Sequence, residues 1–310
     1  MSAEDKFRFK DTSMLTKNKQ SKDSERTKSS KSIGASHKMH VSLLRKELTR
    51  GLINKGNDCW LNSLLQCLHA LKVEYPETTT KCNPTVVKVL NKTLRILKNT
   101  NDKPLYPQQL HDIFNKYFGY ASGQQHDIHE SFIVLHEHCD AGSFRGTYKY
   151  RKICDVCGKT RLHDEETFMT LFASVDNGNK TLTEKIEESL IDSVFTHCST
   201  CSVRTNHVRI GELKTLPKIL CLGFKRFVSN GSGVTKSCQR VPLPLKLTLQ
   251  NDGASATYQL SSCALHYGSG IDVGHYTAVI FKDGRVYEVD DTFVSDISQK
   301  WKQRCQLMRT

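Results

Sequence analysis

The chain has 310 residues, a formal net charge of +13 and 12 cysteines. It is long enough to bury a core without disulfide staples, and neither a run of about 18 apolar residues nor an apolar leader is present, which argues against a membrane span or an export signal. A reducing intracellular setting, cytoplasmic or nuclear, follows, in which cysteines serve as metal ligands, nucleophiles or buried thiols.

Residues 1–50 carry 13 Lys/Arg against 6 Asp/Glu and few apolar side chains. Such a segment cannot offset its ordering entropy, so residues 1–45 are expected to form a disordered basic tail. Its expected interaction is a weak one with an acidic surface, nucleic acid included. Order is expected to begin near Val41–Leu48.

Gly51–Gln66 reads GLINKGNDCWLNSLLQ. Leu61, Leu64, Leu65, Leu68 and Leu71 form the apolar stripe of a buried amphipathic helix. Gly56, Asn57 and Asp58 precede it as turn and N-cap residues, which puts Cys59 in the first turn. Unpaired N–H groups and the positive end of the helix dipole favour a thiolate there. A nucleophile and an ordinary buried thiol are both open readings of this stretch.

Helical spacing continues at Thr85–Leu97, Leu110–Tyr117 and Asp127–Cys139, and Leu182–Ile191 reads as a short helix. Gly142–Asp176 turns β-rich. Strands dominate the last third: Lys218–Phe227, Tyr258–His266, and His275–Val289 broken by a turn at Lys282–Arg285. Helices first and an antiparallel sheet later indicate an α+β fold.

Two Cys-x-x-Cys pairs, Cys154/Cys157 and Cys198/Cys201, each offer two thiolates on a tight knuckle. Together they make a tetrahedral four-thiolate set suited to one structural Zn2+. His163, His197 and His207 lie close enough in sequence to substitute. No organic cofactor is expected.

A thiolate nucleophile needs a base and a group to orient it. His275 opens a strand after a glycine-rich loop, and the strand returning across the hairpin ends in Asp290 and Asp291. An antiparallel return brings either carboxylate back beside the imidazole.

With these blocks in order, the chain resembles the ubiquitin-specific proteases, papain-like cysteine peptidases. Gly51–Gln66 resembles their cysteine box, and Gln125-His126-Asp127 with Glu130 their Gln-Gln-Asp box. The cysteine pairs resemble their zinc fingers, and Leu216-Pro217 with Lys225-Arg226-Phe227 a characteristic strand. Tyr258, Leu260, His266, Gly274-His275-Tyr276 and Asp290-Asp291 resemble their histidine box.

The resemblance implies a fingers, palm and thumb architecture after the tail. A catalytic domain would span residues 46–310, with the thumb at 46–140, mainly fingers at 141–215 and the palm at 216–310. It implies Cys59 as nucleophile, His275 as base, Asp290 as orienting acid and Asn54 as oxyanion-hole donor. Asp127, Glu130, His266 and Tyr276 would bind the substrate tail. The implied activity is thiol-dependent hydrolysis after the C-terminal glycine of ubiquitin, with ubiquitin and ubiquitinated proteins as partners and no membrane. A catalytically weak or inactive ubiquitin-binding module is the alternative. Asp58 stands where the family usually has Thr, Ser131 where it has Phe, and Val289 where it has an aromatic residue. Gly223 interrupts a strand, and the family's apolar C-terminal strand is barely recognisable in Trp301–Thr310.

Overall fold

The structure, a computed structural model, describes residues 12–17, 49–77, 82–99, 103–176, 178–229, 234–268, 270 and 273–301. After a first strand, β1 (Thr12–Lys17), four helices follow among these residues: α1 (Cys59–Ala70), α2 (Pro84–Leu97), α3 (Gln108–Phe118) and α4 (Ile128–Glu137). Each has a local reason for its start. Asn83 caps α2, its side chain accepting from Thr85 N–H, with Pro84 at the first position. Asp127 caps α4 by accepting from the N–H groups of His129 and Glu130. Gly119, at φ 71°, ends α3.

The leucine stripe of α1 is fully buried, with Leu61, Leu64, Leu65 and Leu68 at 0% exposure. It packs against β12 (His275–Lys282) and β11 (Ala254–Tyr267), so the cysteine helix and the histidine strand share one core.

Two larger sheets follow. A four-stranded antiparallel sheet has the order β3 (Thr160–Phe168), β2 (Gly146–Cys154), β6 (Arg204–Thr215), β5 (Ile191–His197). Its two hairpin turns carry the two cysteine pairs. The eight-stranded sheet runs β14 (Phe293–Asp296), β13 (Arg285–Asp290), β12, β11, β1 (Thr12–Lys17), β7 (Ile219–Phe224), β4 (Thr170–Ala173), with β10 (Lys246–Asn251) also on β11. Helix α5 (Leu182–Ser189) packs on β4 and starts in a capping box between Thr181 and Glu184. A short hairpin pairs β8 (Phe227–Ser229) with β9 (Val234–Lys236), and a 3-10 turn spans Gly142–Phe144.

One expectation requires correction. Thr12–Lys17 falls within the segment expected to be disordered, yet it forms a strand inside the large sheet. Leu15 pairs with Leu260 on one side and Leu220 on the other. Composition averaged over 45 basic and polar residues conceals six that suit a strand, and pairing on both edges satisfies their N–H and C=O groups. The rest of residues 1–45, the expected start near Val41–Leu48 and residues 302–310 lie outside the described residues.

Two of the departures from the family, Gly223 and Ser131, have local explanations. Gly223 lies opposite Phe172 in the parallel β4–β7 pair, and an added Cβ would fall 2.4 Å from that ring. Ser131 is fully buried, its hydroxyl donating to Asp127 O at 2.8 Å. Among the described residues, no helix is long and apolar enough to cross a membrane.

Candidate active site and metal centre

Cys59 is the first residue of α1 and is 2% exposed. Burial pushes its thiol above the ordinary value, and the Asp291 carboxylate adds to this; N–H groups of Tyr276, Trp60 and Cys59 itself oppose it. The helix start therefore does not by itself yield a standing thiolate, since desolvation outweighs it. The Tyr276 N–H also puts the sulfur against β12, the strand that His275 opens.

The β12–β13 register, Ala278 opposite Val289, continues to Thr277 opposite Asp290. His275 and Asp290 are then diagonal neighbours on one face, and His275 Nε2 meets Asp290 Oδ1 at 2.6 Å. With Nε2 engaged there, Nδ1 is the ring nitrogen left for a second partner.

Asp291, the neighbouring residue, serves another loop. Its Oδ2 accepts from Asn54 Nδ2 at 3.0 Å, its Oδ1 from Asn62 Nδ2 at 2.8 Å, and its carbonyl from Leu52 N–H at 2.8 Å. Of the two carboxylates that the sequence leaves open, Asp290 thus meets the imidazole and Asp291 meets the Asn54 loop. Asn54 Oδ1 in turn accepts from the N–H groups of Gly56 and Asp58.

Gln125 clamps the entry to the histidine strand. It donates to Gly274 O at 2.7 Å and accepts from Gly274 N–H at 2.8 Å. A Cβ on Gly274 would fall 2.1 Å from His266 Nε2, so only glycine fits there. Sequence reasoning did not place Asn62 or Gln125 among the site residues, although both lie within the boxes that carry the resemblance.

The four residues expected to meet a substrate tail differ in character. Glu130 is exposed in the first turn of α4. Asp127 is 5% exposed and its Oδ1 caps the same helix, so this carboxylate shapes the helix start rather than presenting an open charge. His266 and Tyr276 are buried cross-strand partners with ring centroids 4.7 Å apart. Lys236 Nζ meets His266 Nδ1 at 2.9 Å.

At the turns of the β2–β3 and β5–β6 hairpins, Cys154 Sγ lies 3.8 Å from Cys201 Sγ, and Cys157 Sγ 3.7 Å from Cys198 Sγ. The four sulfurs all lie within 4.8 Å of one another. A tetrahedron with bonds of about 2.3 Å has sulfur–sulfur edges of about 3.8 Å, so this set fits zinc. His207 takes a supporting position, its Nδ1 facing Thr205 O and its side chain hydrogen-bonding Cys198. His163 and His197 line the adjoining cleft and are not in the cluster.

Residues 50–308 match the protein family described as Ubiquitin carboxyl-terminal hydrolase. The chain is similar to Ubiquitin carboxyl-terminal hydrolase 26 of Oryza sativa subsp. japonica, at 26% identity over 81% of this chain and 26% of that protein. It is also similar to Ubiquitin carboxyl-terminal hydrolase 17-like protein B of Mus musculus, at 27% identity over 79% of this chain and 59% of that protein. The chain therefore spans about a quarter of the rice relative and under two thirds of the mouse one. Among solved structures it is similar to the SAGA Ubp8/Sgf11/Sus1/Sgf73 DUB module bound to ubiquitin aldehyde, with a TM-score of 0.64 and 20% identity, covering 83% of this chain and 68% of that one. This is a likeness of fold, and it agrees with the α+β architecture expected from the sequence.

Proposed function

Given that the chain belongs to the ubiquitin carboxyl-terminal hydrolase family, we propose that it is a cysteine-type deubiquitinase that cleaves the bond after the C-terminal glycine of ubiquitin. The observation that carries this reading is the 2.6 Å His275–Asp290 contact on the strand whose next residue, Tyr276, bonds the Cys59 sulfur.

In the proposed cycle Asp290 holds Nε2–H of His275, so Nδ1 takes the Cys59 proton as the sulfur attacks the glycine carbonyl. Burial, which raises the thiol, favours passing its proton to His275 as attack proceeds. Asn54 Nδ2 and the Cys59 N–H stabilise the oxyanion, a contribution worth roughly 10²–10³ in rate for one donor. His275 returns the proton to the leaving amine, and the C–N bond breaks to leave a thioester. Water then loses a proton to His275 and attacks the thioester, releasing the ubiquitin carboxylate and the thiol.

A substrate tail carrying arginine is suited to the exposed carboxylate of Glu130, which Asp127 positions through the helix cap. The close approach of Gly274 to His266, whose ring packs beside that of Tyr276, supports a passage that admits glycine only. Cys154, Cys157, Cys198 and Cys201 would hold one Zn2+, whose part is structural, tying the two finger hairpins together. Ubiquitin and its conjugates are the proposed partners.

The test is turnover of a ubiquitin C-terminal aminocoumarin amide. The parent chain is expected to release the fluorophore and Cys59→Ala to release none while still binding ubiquitin. Equal turnover by both would refute the reading, and ubiquitin binding without turnover by either would favour the inactive binding module.

A further inference from the structure

The five residues before the nucleophile form a small ring of side-chain to backbone hydrogen bonds. Asn54 Oδ1 closes it from one end, accepting from Gly56 and Asp58 N–H at 2.9 and 3.1 Å. Asp58 closes it from the other, its Oδ2 accepting from Lys55 N–H at 2.8 Å. Gly56 and Asn57 turn the chain between them with φ of 134° and 62°.

By position Asp58 is the N-cap of α1, but its side chain makes no capping bond. It faces back, with Oδ1 3.7 Å from His111 Nδ1 and a side chain only 9% exposed. His111 is held in turn between Tyr106, stacked on it at 5.0 Å, and the edge of Trp60 at 6.5 Å. Lys55 Nζ closes the group over the Tyr106 ring, 3.7 Å from its centroid.

This orientation has a chemical consequence. A capping carboxylate takes the N–H of the second or third helical residue, here Trp60 or Leu61. Turned away, Asp58 leaves the Trp60 N–H to the Cys59 sulfur, where it favours the thiolate. The same rotation satisfies Lys55 N–H, so the loop bearing Asn54 is closed at both ends.

We propose that Asp58, wedged against His111 and bonded to Lys55 N–H, is a positioning residue that holds the Asn54 loop in its oxyanion-binding shape. The inference rests on the proposed hydrolase reading and gives a role to the residue that departs most conspicuously from the family at the nucleophile. Asp58 touches no reacting atom; it acts through the loop. Removing its side chain orphans Lys55 N–H and frees the loop, which weakens oxyanion stabilisation without altering the sulfur.

Two reactions of Cys59 separate these effects, because alkylation by iodoacetamide passes through no oxyanion whereas acyl transfer does. For Asp58→Ala, kcat on the ubiquitin aminocoumarin amide is expected to fall about 10- to 100-fold, with KM within about threefold. Iodoacetamide is expected to modify Cys59 within about twofold of the parent rate. Asp58→Asn keeps an acceptor for Lys55 N–H and is expected to recover most of the lost kcat. Asp58→Glu displaces the acceptor while keeping the charge, and is expected to turn over more slowly than Asp58→Asn, a comparison that stands even if Asp58→Ala fails to fold. An unchanged kcat in Asp58→Ala, a parallel fall in alkylation, or Asp58→Glu outperforming Asp58→Asn would overturn the proposal. A parent chain with no turnover would instead refute the hydrolase reading itself.

Discussion

Asn54 Nδ2 and Asp291 Oδ2 meet at 3.0 Å across 237 positions of chain. The bond ties the loop before Cys59 to the residue that follows strand β13, beside Asp290. It also fixes which way the Asn54 amide points, because its oxygen is taken by Gly56 and Asp58 N–H. Asp291→Ala is therefore expected to lower kcat by roughly 10²-fold with a small change in KM, through loss of one oriented donor. Steady-state kinetics on a ubiquitin amide checks this. A change confined to KM would place Asp291 in substrate binding instead.

The sulfur spacing of 3.7–3.8 Å in the four-cysteine cluster leads to a second expectation. The purified reduced protein should contain one zinc per chain by elemental analysis, and Cys157→Ser or a strong chelator should lower both metal content and thermal stability. Metal-free protein that melts at the same temperature as the purified material would contradict a structural site.

Strand β1 provides a third. Leu15 sits in a strand paired on both sides, with Leu260 and with Leu220, where proline removes a ladder donor. At a cost of about 3 kcal/mol, Leu15→Pro is expected to lower Tm by roughly 5–10 °C. Calorimetry of that variant, beside a chain lacking residues 1–17, decides whether the segment belongs to the folded unit. An unchanged Tm in both would detach it.

Acid should destabilise the fold. Burial lowers His69, His129 and His136 to about 4, from an ordinary value of 6.5. His136 shows why: its Nδ1 faces Phe132 O at 2.7 Å, and its Nε2 faces Tyr75 Oη at 2.7 Å, which suits a neutral ring. In the unfolded chain these rings protonate near 6.5, so between 6.5 and about 4 the unfolded state binds more protons and stability is lost as the pH is lowered. Each group contributes on the order of 3 kcal/mol across that window, and nothing further below it. Denaturant titrations at pH 7.5 and 5 measure this, and equal stabilities would contradict the buried-neutral assignment.

Periodic and paired features are the legible ones. The leucine stripe of α1, the Lys282–Arg285 turn and the two Cys-x-x-Cys knuckles each signal within a few residues, and the structure places them as helix, hairpin and cluster. The approach of the Asp290–Asp291 pair to His275 is legible from the antiparallel return, whereas the choice of Asp290 depends on the register of the folded strands. Other features depend on the folded state. Strand β1 is six residues inside a polar tail, and only the edges of β7 and β11 give it a place. The facing of Asp58 depends on His111, which lies 53 positions away. The raised Cys59 thiol reflects burial by β12, which helix-end reasoning does not count. Asp127 has the residue type to bind a cation, but as an N-cap its carboxylate is engaged within α4.

The central claim is that Cys59, His275 and Asp290 act as one acyl-transfer unit on the ubiquitin C-terminus. Intact-mass analysis after incubation with ubiquitin vinyl sulfone tests it most directly. The account predicts a gain of one ubiquitin probe on the parent chain, none on Cys59→Ala, and adduct formation slowed at least about 10²-fold in His275→Ala. A probe adduct that persists in Cys59→Ala, or a folded parent chain that never acquires one, would contradict it.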